Sequence, residues 1–274
     1  MKMNKRKNFV SGLGALFIFS ACTPQPEVSS PDGNIKIDVV REDSCLSYMV
    51  SVGDKALILP SRLGLVATGL TIPHDAKMEI KHSSFDETWS QPWGENKEIR
   101  NHYNEMAVSL SDDSIQYTVR FRAFDDGVAF RYEWNTVSAD SVILHDELTE
   151  FAFADAAMSW SIPGNFETYE LEYRNLPVDS VADANTPFTF ETEPGGVFGS
   201  IHEAALYDYP EMTLIRTGGR TLKANLAPMP DGVKAYLPTV FTTPWRTIQI
   251  GESACDLINS GLILNLNEPS KIED

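Results

Sequence analysis

"QYTVRFRAFDDGVAFRYEW", residues 116 to 134, alternates, turns and alternates again. In an extended chain Tyr117, Val119, Phe121 and Ala123 fall on one side, and Arg120 and Arg122 on the other. The return run repeats the pattern with Val128, Phe130, Tyr132 and Trp134. Between them "DDG" (125–127) is a tight-turn signal, because Asp-Gly tolerates positive φ. Two alternating runs joined by such a turn predict a β-hairpin with one buried face.

The same period of two recurs outward from this hairpin. Upstream lie "NIKIDVV" (34–40) and "LSYMVSV" (46–52), and downstream "MSWSI", "PFTFET", "GGVFGSI", "MTLIRT", "TLKANL", "VKAYL" and "RTIQIG". Gly and Pro punctuate these runs at short intervals. One stretch reads as helix, "ESACDLINS" (252–260), with Gly261 as its stop. Many short strands with scarcely any helix predict an all-β, antiparallel sandwich or barrel with one short C-terminal helix. A (β/α)₈ barrel needs about 250 residues of alternating strand and helix, and no such pattern is present.

Residues 1–21 are set apart from the fold. "MKMNKRKN" is a basic leader, and "FVSGLGALFIFSA" is apolar but shorter than the ~20 residues of a membrane span. It ends at "FSAC", where small residues precede Cys22. Two readings fit: a lipobox whose Cys22 becomes the lipidated mature N-terminus, or an ordinary secretory signal with Cys22 incidental. The lipoprotein is preferred because "TPQPEVSSPDG" then reads as a flexible tether over 22–33, leaving one domain at 34–274. Either way the protein is exported, to the periplasm or cell envelope, with membrane contact only through a lipid anchor. Cys45 and Cys255 make at most one bridge, too few for a disulfide scaffold, and are expected as buried free thiols.

Without Lys2, Lys5, Arg6 and Lys7, 18 basic face 39 acidic side chains, a formal charge of −21. Such a surface repels nucleic acid and anionic lipid and suits neutral partners and cations. A hydrophobic fraction of 42% argues a large core rather than a disordered acidic chain.

P-loop, G-x-S-x-G, H-E-x-x-H, C-x-x-C and EF-hand patterns are absent, and the five histidines lack zinc-ligand spacing. Three stretches remain as candidate sites. In "GENKEIRNHYNEM" (94–106), Asn101, His102, Tyr103, Asn104 and Glu105 set amides and a carboxylate beside an aromatic ring. Sugar hydroxyls and pyranose C–H faces need that combination, although a strand with one wet side reads the same way. "TTPWR" (242–246) sets the Trp245 indole next to the Arg246 guanidinium, either a cation–π contact at an edge or a structural corner. In "GSIHEAALYDYPEM" (199–212), Glu203 stands among apolar neighbours. A carboxylate there needs a basic side chain, a hydrogen-bond network or a hard cation such as Ca²⁺, unless it simply points to water.

Taken in order, "SPDGNIKI", "GENKEIRNHYNE", "FRAFDDGVAFRY", "IHEAALYDYP", "TPWR" and "LNLNEPSKIED" resemble the N-terminal region of glycoside hydrolase family 97, which includes Bacteroides-type α-glucosidases and α-galactosidases. The resemblance covers essentially the whole exported chain. It implies a β-supersandwich similar to galactose mutarotase, packed against a (β/α)₈ catalytic domain, in cis or as a separate chain, that acts on α-linked oligosaccharides. It also implies that Glu203 is a calcium ligand whose companions come from that barrel; Asn101, Tyr103, Asn104, Glu105, Trp245 and Arg246, read from their chemistry, are the candidate carbohydrate contacts. The catalytic carboxylate pair of the family lies in the barrel, so no catalytic residue is assigned here. A stand-alone carbohydrate-binding lipoprotein is the alternative.

Overall fold

The computed structural model describes residues 26–42, 45–92, 94–192 and 196–271. The leader, Cys22 and the last three residues lie outside the described residues. Two large antiparallel sheets, of eight and ten strands, and a smaller one of three make up the fold. The opening hairpin forms as read. Ile115–Phe124 and Gly127–Thr136 pair in unbroken register from Ile115↔Thr136 to Phe124↔Gly127. Gly127 has φ +147°, and a Cβ there would stand 2.4 Å from the Ile248 carbonyl oxygen. Glycine is required at that point by both conformation and space.

The predicted inward residues are buried, and they meet the facing sheet through aromatic rings. Tyr48, from the Cys45–Val52 strand, lies 4.7 Å from Phe130, and Phe153 meets Phe190 edge-on at 4.8 Å. Each such ring contributes about 1.5–3 kcal/mol by leaving water, which makes this inter-sheet layer the main source of cohesion. The alternating runs predicted downstream all contain strands, at Ala157–Ser161, Phe188–Thr192, Phe198–Ala204, Met212–Gly218, Thr221–Leu226, Ala235–Leu237 and Trp245–Gly251.

Two expectations are corrected, and two short elements were not anticipated. The fold begins before residue 34: Glu27–Ser29 pairs with Ile35–Glu42, and Val28 is buried, so the expected tether loses its second half to an edge strand. The expected C-terminal helix forms, and a second short helix follows it. In α1 (Ala254–Asn259) Asp256 accepts the backbone N–H groups of Glu252 and Ser253. Gly261 then opens α2 (Leu262–Leu266), because Asp126 of the hairpin turn accepts both the Gly261 N–H and the Ser260 hydroxyl. A single 3₁₀ turn, Val178–Ser180, was not anticipated. Cys45 and Cys255 are free, as expected, but exposed; Cys255 sits on α1, which buries none of its residues. Among the described residues no helix is long and apolar enough to cross a membrane.

Candidate functional site

Strand alternation separates Trp245 from Arg246. Neighbours on a strand point to opposite faces, so of the two readings the Trp245–Arg246 cation–π contact does not form. Trp245 lies on the outer face of the ten-stranded sheet, 4.6 Å from the Arg122 guanidinium and 4.3 Å from that of Arg131. It clusters with Leu262 and Leu266 of α2 and with Ala129 and Ala204. Arg246 turns inward and stands over the Tyr209 ring at 5.6 Å. Each is only 1% exposed, which leaves no face of either side chain for a sugar. Their assignment as carbohydrate contacts is corrected to a structural one.

Glu203 sits directly opposite Arg246 in the pairing of Phe198–Ala204 with Trp245–Gly251. Directly opposed residues share a face, and the two meet: Arg246 Nη1 donates to Glu203 Oε2 at 2.5 Å. Glu203 Oε1 accepts the Met212 N–H at 3.1 Å. The other edge of the guanidinium is held by Glu147, with Nε to Oε1 at 2.8 Å and Nη2 to Oε2 at 2.7 Å. Thr149 and Tyr209 donate their hydroxyls to the same Glu147 carboxylate, at 2.8 and 3.0 Å. Glu147 is 0% and Glu203 8% exposed, so the cluster runs from the sealed interior to a rim.

Two carboxylates and one guanidinium leave one surplus negative charge, unevenly shared. Burial alone would raise the Glu147 carboxyl, but the Arg246 charge and its paired hydrogen bonds, with Thr149 and Tyr209, hold it below the ordinary range. For Glu203 burial dominates. It outweighs Arg246 and the Met212 amide, and the Glu147 charge adds to it, so this carboxyl lies above its ordinary value. A folded value above the unfolded one means that stability falls as pH rises through the interval between them. Glu203→Gln is therefore expected to stabilise the domain at pH 7, raising Tm by about 2 °C, and to flatten that part of the pH profile in thermal scans. An unchanged or lower Tm would show that ionised Glu203 costs nothing.

The rim opens into a recess of about 350 Å³ whose lining includes Tyr169, His202, Glu203, Ala205, Glu211 and Asn267. Ala205 holds φ +54°, unusual for a non-glycine, and its N–H donates to Asn267 Oδ1. The kink ends the strand at Ala204 and leaves Leu206 and Tyr207 exposed. Each Glu203 oxygen accepts one hydrogen bond, leaving acceptor capacity that a hard cation accepts readily. Among the described residues, however, no group of three or more His, Cys, Asp or Glu is placed to hold a metal. The donor set fits one arm of a calcium site, and the charge partner supplied by the domain itself is Arg246.

The 94–106 residues separate. Tyr103 is nearly buried, stacked 5.5 Å from Phe85 on one side and 4.2 Å from the Arg122 guanidinium on the other. Asn104 donates to the Ser29 carbonyl, and Glu105 accepts from Arg120 and Arg122. Tyr103 and Glu105 are corrected from sugar contacts to structural partners, because the ring faces and carboxylate oxygens a sugar needs are already used, while half-buried Asn104 spends one amide N–H on Ser29. Asn101 alone lines an open groove, of about 460 Å³, with Phe85, Glu87, Trp89, Leu264 and Pro269 among its neighbours. Trp89 was missed, as were Glu147, Thr149 and Tyr209.

A family model for "Glycosyl-hydrolase 97 N-terminal" matches residues 28–269. A family 97 enzyme from Pseudoalteromonas sp. strain K8 is 41% identical, with a TM-score of 0.83 in a complex with panose and 0.84 in one with acarbose, over 91% of this chain and 39% of that one. A retaining α-galactosidase of Bacteroides thetaiotaomicron is 25% identical over 285 aligned residues, 90% of this chain and 42% of the relative. A β-arabinopyranosidase, 22% identical with a TM-score of 0.74 over 83% of this chain and 40% of that one, shares the fold. This chain thus spans about two fifths of the length of each.

Proposed function

We infer the function from the family: the chain belongs to the glycosyl-hydrolase 97 N-terminal family, and we propose that it is the non-catalytic β domain of a calcium-dependent α-glycosidase. In this reading a (β/α)₈ catalytic domain, in cis or as a separate chain, covers the Glu203 rim and supplies the remaining calcium ligands. It also brings the carboxylate pair that hydrolysis of an α-glucoside or α-galactoside requires. Bound Ca²⁺ would supply a fixed positive charge beside the sugar. Glu203 would hold it, while Arg246 keeps the carboxylate from turning inward. The likeness to a sugar-binding family 97 enzyme along nearly the whole chain carries this reading.

The test is hydrolysis of nitrophenyl α-glucoside and α-galactoside by the purified 274-residue chain, alone and joined to whatever coding sequence follows codon 274. Activity is expected only in the joined form. Hydrolysis by the chain alone sinks the assignment. We place the protein at the cell envelope through a lipid on Cys22, so Cys22→Ser should abolish palmitate labelling in cells; retained label would refute the anchor.

A second reading, a stand-alone carbohydrate binder, is favoured by one observation. The Asn101 groove sets the exposed Phe85 ring and Trp89 beside amides and a carboxylate. Calorimetry with panose would show heat that Trp89→Ala removes; a flat titration eliminates this reading.

A further inference from the structure

We propose that Glu147 is the positioning residue of the Glu203 site, acting through Arg246 without reaching the rim itself. Its purpose rests on the reading of Glu203 as a calcium arm; its geometry does not. An ionised carboxylate offers about four acceptor positions. Glu147 uses four: two for Arg246, one for Thr149 and one for Tyr209. Glu203 uses two, for Arg246 and the Met212 N–H. The interior carboxylate is saturated, and the rim carboxylate keeps half its capacity.

The proton logic behind Glu147 is closed as well. The single Thr149 hydroxyl proton goes to Glu147, so Tyr132 must donate its own to Thr149, 2.7 Å away. The Gly64 N–H donates in turn to the Tyr132 oxygen at 3.1 Å. Three pieces of chain are fastened together this way. Glu147 ends the Val142–Glu147 strand of the small sheet, Tyr132 and Arg246 belong to the ten-stranded sheet, and Tyr209 lies beyond the kink at Ala205.

A guanidinium on a flexible stem would otherwise follow whichever carboxylate is nearer. Gripped along one edge, it presents Nη1 at a fixed place, and Glu203 docks there. Apolar residues of similar volume often stabilise a core as well as a buried ion pair does. The pair is therefore poor value as cohesion and better explained as a device that aims Glu203.

The Met212 amide reports the outcome, because its proton is held by Glu203 Oε1. Hydrogen exchange is measured in chelator, on the wild-type chain and on Glu147→Gln and Tyr209→Phe. Positioning predicts that Met212 protection falls roughly tenfold in Glu147→Gln, and by a smaller factor in Tyr209→Phe. The Leu214 amide on the same strand should stay within about twofold in both. Unchanged Met212 protection in both variants overturns the proposal, as does an equal fall at Met212 and Leu214, which marks mere loss of stability. If Glu147→Gln does not fold, the milder Tyr209→Phe decides by the same two readings. No metal is present in the assay, so the calcium reading can fail while this inference stands.

Discussion

Arg246→Ala is expected to cost the domain about 3–5 kcal/mol, the usual penalty for removing one partner of a buried ion pair. The reason is Glu147, which has no exposed surface and would keep only its two hydroxyl donors. Between pH 7 and pH 5 the pH dependence should steepen. In the wild type Glu147 has a depressed folded value, so its stabilisation is present above the ordinary carboxylate range and is lost as pH falls through the folded value. Without the guanidinium, burial pushes Glu147 and Glu203 upward together, and acid then relieves two buried charges. Urea unfolding at pH 7 and pH 5 should therefore show a variant that gains more stability on acidification than the wild type, in which only Glu203 acts in that direction over this window. A loss below about 1 kcal/mol at pH 7, or a wild-type pH slope, would mean that water reaches the cluster and carries its charge.

Trp245→Ala is expected to lose a comparable 3–5 kcal/mol. The indole fills the space between the outer face of the ten-stranded sheet and α2, and its faces receive Arg122 and Arg131. Removing it opens a cavity and discards both cation–π contacts. It also loosens Leu262 and Leu266, so the last helix should lose protection first in hydrogen exchange. Trp160→Ala is the control, because that indole is 36% exposed on its strand and should cost distinctly less, about 1–2 kcal/mol. Equal effects of the two substitutions would remove Trp245 from the core.

The hairpin was legible because one of its faces is fully buried, so burial left a period of two in the sequence from Tyr117 to Trp134. Lys77–Ser90 left no such trace. This 14-residue strand forms the edge of the ten-stranded sheet and is exposed along nearly its whole length, so nothing selects alternation there. Trp89 was missed with it. Glu147 was hidden by a register shift. Val142 and Leu144 point inward, and plain alternation would send Asp146 after them, but a bulge between Leu144 and Asp146 turns Glu147 inward instead. Glu203 stood out as an acid in apolar company, which left a basic side chain, a hydrogen-bond network, a cation or water as its partner. That the partner is Arg246 depends on which residue of a strand 43 positions away stands opposite, and pairing register across so distant a connection is not written locally. The same alternation that revealed the strands should have separated Trp245 from Arg246, since adjacent residues on a strand cannot share a face.

The direct test of the central claim is a calorimetric titration of the purified 274-residue chain with Ca²⁺. One carboxylate already matched to an arginine predicts affinity no tighter than about millimolar, the weak end for protein calcium sites. A micromolar site abolished by Glu203→Gln would contradict it, because this chain would then hold the whole ligand set rather than one arm.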